Sequence, residues 1–244
     1  MTISRTYNFK VSATNQVGEG ELSAAKPILA ATEPEAPAEP VTSTQSSTFI
    51  AIGWTEPINN GANVDDYKVL WCISTDPGCS FSVVAASTSG ATSFQISGLV
   101  KGTTYQFKVQ AHNVIGYSES SPAHFVVAAD VPDQPASPEN DLAVTTVDRI
   151  KVNWALLTTA QNGGLAVTHY VLYWKEKEAG DYVDSYQTPD ATTATHTILS
   201  LSAGFYYDIQ LKAFNDVGGS IASPEIRIVA AEVPVDPTVP RLLT

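Results

Sequence analysis

The sequence predicts an all-β protein, a tandem of antiparallel β-sandwiches joined by Pro-rich linkers. Three observations carry that prediction. First, a segment reading YNFKVSATNQVGEGELS from Tyr7 recurs as YQFKVQAHNVIGYSESSP from Tyr105 and YDIQLKAFNDVGGSIASP from Tyr207, at spacings of 98 and 102 residues. Second, each copy is followed by prolines three apart: Pro34, Pro37, Pro40; Pro132, Pro135, Pro138; and Pro234, Pro237, Pro240. Third, apolar residues within each repeat alternate with period two, and no segment sustains a 3.6-residue period.

The elements follow in chain order. Residues 1–30 hold the Tyr7 copy alone, with no counterpart of the upstream strands, and read as the last quarter of a preceding unit. Residues 31–129 form a whole unit. In it Ile50, Ile52 and Trp54 share one strand face, Tyr67, Val69 and Trp71 another, and Tyr105, Phe107, Val109 and Ala111 a third. Residues 130–231 repeat the pattern with Ile150, Val152 and Trp154; Tyr170, Leu172 and Trp174; and Tyr207, Ile209, Leu211 and Ala213. Asn59-Asn60-Gly61 and Gln161-Asn162-Gly163-Gly164 mark turns between strands. Residues 232–244 repeat the start of a linker, so the chain reads as an excerpt of a longer array.

Composition narrows the function classes. With 43% hydrophobic and 16% charged residues, fifteen glycines and fifteen prolines, the chain is not a coiled coil, a collagen or a wholly disordered segment. A balance of 13 basic to 25 acidic residues, net −12, argues against nucleic acid and anionic membrane as partners, since both are bound through Lys and Arg. The acidity belongs to both whole units: the 31–129 segment carries −5 and the 130–231 segment −7. Arg5 and Lys10 interrupt what would be the core of a signal peptide, and no apolar run reaches the length of a membrane span.

The proline entry, the tryptophans Trp54 and Trp154, the motifs DYKVLW and HYVLYW, Leu99 and Leu201 six residues before Tyr105 and Tyr207, and the ending A-x-N-x-x-G together resemble the fibronectin type III domain along the whole chain. That resemblance implies tandem seven-stranded immunoglobulin-like sandwiches, with residues 1–30 the F–G hairpin remnant of a preceding unit. It implies that Trp54 and Trp154 lie in the cores and that Tyr7, Tyr105 and Tyr207 form tyrosine corners. Met1 stands where Leu99 and Leu201 stand, and His196 departs from the pattern by replacing the apolar Phe94. The lone hairpin of residues 1–30 is expected to cover its apolar face, Tyr7, Phe9, Val11 and Ala13, with a neighbouring unit or another chain.

Reactive constellations are sparse. His112, His124, His169 and His196 are scattered without metal-ligand spacing, and neither a nucleophile elbow nor a phosphate loop occurs. Asp65 and Asp66 are strand neighbours and point to opposite faces, so they do not converge on one bond. No catalytic, cofactor or metal residue is expected, and no cofactor. Cys72 and Cys79 flank a turn-rich stretch: if opposite in a hairpin they can bridge, implying an oxidising compartment, and otherwise they are free thiols. The proline ladders fit polyproline ligands, but their recurrence at unit boundaries favours a semi-rigid spacer with its first strand docked. Arg-Gly-Asp and N-x-S/T sequons are both missing from the sequence.

The expected function is a non-enzymatic structural or adhesive array that contacts protein partners and neighbouring units, placed outside the cell or at its surface. An intracellular cytoskeletal or ciliary scaffold, and an accessory region of a larger enzyme or receptor, are the alternatives.

Overall fold

The computed structural model describes residues 2–73, 75, 78–176, 180–182 and 184–233. Met1, the Pro234–Pro237–Pro240 ladder and most of the 232–244 stub therefore lie outside the described residues. The chain divides into two compact units between Ala128 and Ala129. No helix occurs among the described residues.

The first unit opens with an antiparallel hairpin, β1 (Thr6–Phe9) and β2 (Lys26–Leu29). It continues through β3 (Val41–Gln45), β4 (Phe49–Gly53), β5 (Asp66–Ile73), β6 (Ser82–Ala85), β7 (Ser93–Ser97), β8 (Thr104–His112) and β9 (His124–Val127). These make one sheet ordered β3-β4-β7 and another ordered β6-β5-β8-β9. The second unit repeats the scheme with β10 (Glu139–Asn140), β11 (Arg149–Asn153), β12 (His169–Glu176), β13 (Asp184–Gln187), β14 (Thr195–Leu199), β15 (Tyr206–Asn215), β16 (Gly218–Gly219) and β17 (Ile226–Val229). Its sheets run β10-β11-β14 and β13-β12-β15, with β17 on the far edge of β15 and the two-residue β16 paired near its end.

Alternation along the strands builds the cores. On β4, Ile50 and Ile52 are fully buried while their neighbours point outward, and on β8 Tyr105, Phe107, Val109 and Ala111 face them across the sandwich. The second core is made by Ile150, Val152, Ile198, Leu172, Ile209 and Leu211. Burying each such side chain contributes roughly 1.5–3 kcal/mol. The residue ending each IxxxW strand, Trp54 or Trp154, closes the core against a tyrosine: Trp54 meets Tyr67 edge-on at 5.4 Å, and Trp154 meets Tyr170 at 6.3 Å. Neither indole N–H has a partner among the described residues, so these rings stabilise through apolar burial and ring geometry.

Strand β8 outruns its partner β9, and serines complete the ladder. Ser121 Oγ accepts the Val109 N–H and Ser118 Oγ the Ala111 N–H; Ser223 and Ser220 do the same for Leu211 and Ala213 in the second unit. Without these hydroxyls, four buried N–H groups would lose side-chain acceptors. The tyrosine hydroxyls likewise accept backbone N–H groups five residues upstream: Tyr105 from Val100, Tyr207 from Ser202 and Tyr7 from Thr2. The chain reverses there through a left-handed residue, Gly102 at φ 76° and Gly204 at φ 79°, for which Ser4 substitutes at φ 63°.

The linkers are docked along their own units. Pro34, Pro37 and Pro40 are all buried and the residues between them exposed, as are Pro132, Pro135 and Pro138 with theirs apart from the half-buried Ser137. A period of three is that of a polyproline helix lying on a surface, so these prolines are taken up by their own sandwich.

One expectation is overturned in its first form: no neighbouring unit of the chain covers the apolar face of the β1–β2 hairpin, where Phe9 is 39% exposed, Val11 71% and Ile28 50%. The hairpin meets the rest of its unit at its end, where Ile3, Ser4 and Ala30 lie against Gly61, so its broad face covers nothing in that unit.

Three outcomes follow from this packing. Tyr105→Phe leaves a Val100 N–H without its acceptor and lowers the stability of the first unit by about 1 kcal/mol, with the second transition in a denaturant titration unmoved. Gly163 sits at φ +78° with the Asp130 carbonyl where a Cβ would go, so Gly163→Ala destabilises the second unit by about 2 kcal/mol or more in the same experiment. The third concerns acid. Burial raises the Asp66 pKa, but bonds from the Ser87 hydroxyl and the Tyr67, Thr88 and Gly90 N–H groups outweigh it and hold the carboxyl at about 2. Because this lies below the unfolded value, the stabilisation is complete above about pH 4 and is lost as pH falls through about 2. In thermal melts across that window, Asp66→Ala flattens the pH dependence of the first unit and lowers its stability at neutral pH.

Candidate functional site

The loops at the linker end of each sandwich are held by one asparagine. Asn113, fully buried at the end of β8, donates through Nδ2 to the carbonyls of Thr32 in the linker (2.9 Å) and of Asn59 and Ala62 in the β4–β5 loop (3.2 and 3.3 Å). Its Oδ1 accepts the N–H groups of Ile115 and Gly116 in its own loop. Asn215 repeats this: Nδ2 reaches Asp130 and Asn162, and Oδ1 takes Val217 and Gly218. Around each clamp two backbone bonds zip linker to loop. They are Thr32 to Asn60 and Glu35 to Ile58 in the first unit, Asp130 to Gly163 and Asp133 to Gln161 in the second. The shared offset of Asn15, Asn113 and Asn215 marks this residue in the sequence, but its three-way role depends on loops 50 or more residues away. Exposed Asn15 keeps the local half, accepting from Val17 and Gly18.

Among the remaining residues singled out in the sequence, Cys72 and Cys79 are joined by a disulfide with Cα atoms 6.4 Å apart, stapling the segment between β5 and β6. Asp65 and Asp66 diverge: Asp65 bonds His112 Nδ1 at 2.6 Å, while Asp66 ties the 87–90 turn to β5. His112 also packs on Tyr117, over which Lys68 Nζ lies at 3.6 Å. His124 bonds Thr42 and Glu39, fastening β9 to β3 and the linker. His169 stacks on Phe214. His196 is half-buried, stacked at 3.7 Å on Tyr186, and desolvation lowers its pKa, favouring the neutral ring. The four histidines are thus separate, and no cluster of metal-ligating residues forms among the described residues.

An ion pair between a buried carboxylate and an exposed guanidinium is new to the structure. Asp208, 2% exposed on β15, receives both Nε and Nη2 of Arg227 on β17 at 2.6 and 2.9 Å, a bidentate fork across the strand pair. Adjacent Glu225 accepts the Tyr182 hydroxyl, and burial together with that carboxylate raises the tyrosine pKa.

The arrangement offers surfaces and loops. The sequence model of the fibronectin type III domain matches residues 35–127. The chain is 26% identical over 237 residues to "Fibronectin type-III domain-containing protein 3A" of Mus musculus, covering 95% of this chain and 19% of that protein. It is 28% identical over 240 residues to Neogenin of Mus musculus, 95% of this chain and 15% of the relative. "Cell adhesion molecule DSCAM" of Homo sapiens is 28% identical over 232 residues, 91% and 11%. The chain thus spans a fifth or less of the length of these relatives. The crystal structure of the chicken CNTN1 FN1–FN3 domains shares the fold at a TM-score of 0.57 and 20% identity, covering 93% of this chain and 76% of that one. The matched segment, residues 35–127, is a fibronectin type III domain, and the second unit repeats its sheet order and its tyrosine and tryptophan positions.

Proposed function

We propose that this chain is a non-enzymatic stretch of a tandem array in a surface or extracellular protein, acting by spacing and by protein contacts. In this reading residues 1–30 are the F–G hairpin of a preceding unit, 31–129 and 130–231 are whole units, and 232–244 open a further linker. The carrying observation is the register of the repeat, in which linker prolines, clamp asparagine and corner tyrosine recur together. Docked prolines support a load-bearing spacer, since a linker hydrogen-bonded to its unit has little slack to bend. The Cys72–Cys79 disulfide supports an oxidising compartment. The relative named as a cell adhesion molecule supports the adhesive reading.

Single-molecule stretching of the chain is expected to give two unfolding events, each lengthening it by roughly 300 Å. One continuous extension would count against the array. Mass analysis of material from the native source, alkylated before and after reduction, is expected to find Cys72 and Cys79 oxidised. Two free thiols would favour an intracellular scaffold. Reduction in vitro lowers the stability of the first unit alone by about 2 kcal/mol.

A further inference from the structure

Although the two units share one framework, they treat the space between linker and β8–β9 loop differently. In the second unit this space is bridged: Gln134 Nε2 donates to the Ala222 carbonyl at 2.6 Å, and Ser137 Oγ to that of Pro224 at 2.9 Å. Aligning the units on their clamps puts Ala36 where Gln134 stands and Glu39 where Ser137 stands. Ala36 has no donor, and Glu39 turns to His124. A groove therefore remains open in the first unit, lined by Ala31, Pro34, Ala36, Ile115 and Asn60 with three glutamates.

The charge of the groove is also particular to this unit. Glu33 and Glu119 occupy the places of Val131 and Ile221. The Glu33 side chain lies over Gly116, as Val131 lies over Gly218, so its carboxylate borders the groove. With Glu35, three carboxylates flank an apolar floor where Ile115 is 46% exposed. None of the three is ion-paired among the described residues. Both walls are fixed before any ligand arrives, because Asn113 and Asn60 hold the linker and Asn113 Oδ1 holds the loop. A pre-organised site loses less on binding.

We infer that this groove is a docking site for an arginine-bearing segment of a partner protein. A guanidinium supplies the donor that Gln134 supplies in the second unit and the positive charge that three carboxylates call for. Its methylene stem matches the Pro34–Ile115 floor. This deepens the reading of the chain as an interaction array, yet the array can stand if the groove binds nothing.

The test is a titration of the isotopically labelled full chain with the peptide acetyl-Ala-Arg-Ala-Arg-Ala-amide, followed by backbone amide shifts. Shifts confined to Thr32, Glu33, Ala36, Asn60, Ile115 and Glu119 are expected. Ala36→Gln, an exposed change that installs the strap of the second unit, is expected to abolish them without altering the melting of either unit. Glu119→Gln is expected to weaken binding about two- to five-fold at low salt. The inference is overturned by shifts spread equally over the acidic second unit, by undiminished binding to Ala36→Gln, by no binding, or by calcium chloride alone reproducing the shifts. None of these alters the two unfolding events that test the array.

Discussion

A buried amide is tolerated only when its oxygen and its nitrogen both find partners. At Asn113 and Asn215 that requirement fixes three segments at once. The Oδ1 closes the tight loop after β8 or β15, and the Nδ2 reaches the β4–β5 or β11–β12 loop together with the incoming linker. None of these segments has a regular ladder along most of its length, so the asparagine supplies what strand pairing supplies elsewhere. The prolines follow from it. Once the linker is pinned at Thr32 or Asp130, its threefold period lays one edge on the sandwich, and the residues between face solvent.

The same economy runs through the strand ladder. Serines at fixed offsets satisfy the stretch of β8 and β15 that β9 and β17 do not reach, and a tyrosine hydroxyl satisfies the turn that leads into each strand. Small polar side chains thus finish the hydrogen-bonding of a sheet whose edges are short. Because this framework is shared by both units, variation is free to appear on the surfaces it displays. The disulfide, the acidic groove and the His112–Asp65 pair belong to the first unit; the Asp208–Arg227 fork and the His196–Tyr186 stack belong to the second. Shared positions hold the fold and unshared ones distinguish the units, a division in keeping with folds that host functions without dictating them.

How far the sequence could be read depended on whether a feature was periodic. Ile50, Ile52 and Trp54 announce a core strand because alternation is a local property, and Tyr105 and Tyr207 announce themselves by repetition. Asn113 was visible as a repeated letter without a visible partner, because its partners Thr32 and Ala62 lie 81 and 51 residues away. The exposure of Phe9 and Val11 ran against expectation for a related reason: a two-residue period tells which side of a strand is apolar and says nothing about what lies opposite.

By itself, then, the sequence determined the repeat, the all-β class, the strand faces and the absence of clustered metal-ligand motifs, since each is written in spacing along the chain. Only the tertiary structure decided that the prolines are docked, that Asp65 and Asp66 part company, and that Ala36 leaves open what Gln134 closes. These depend on which distant backbone carbonyl comes within hydrogen-bonding range of a given side chain, and that distance is set by the packing of the two sheets.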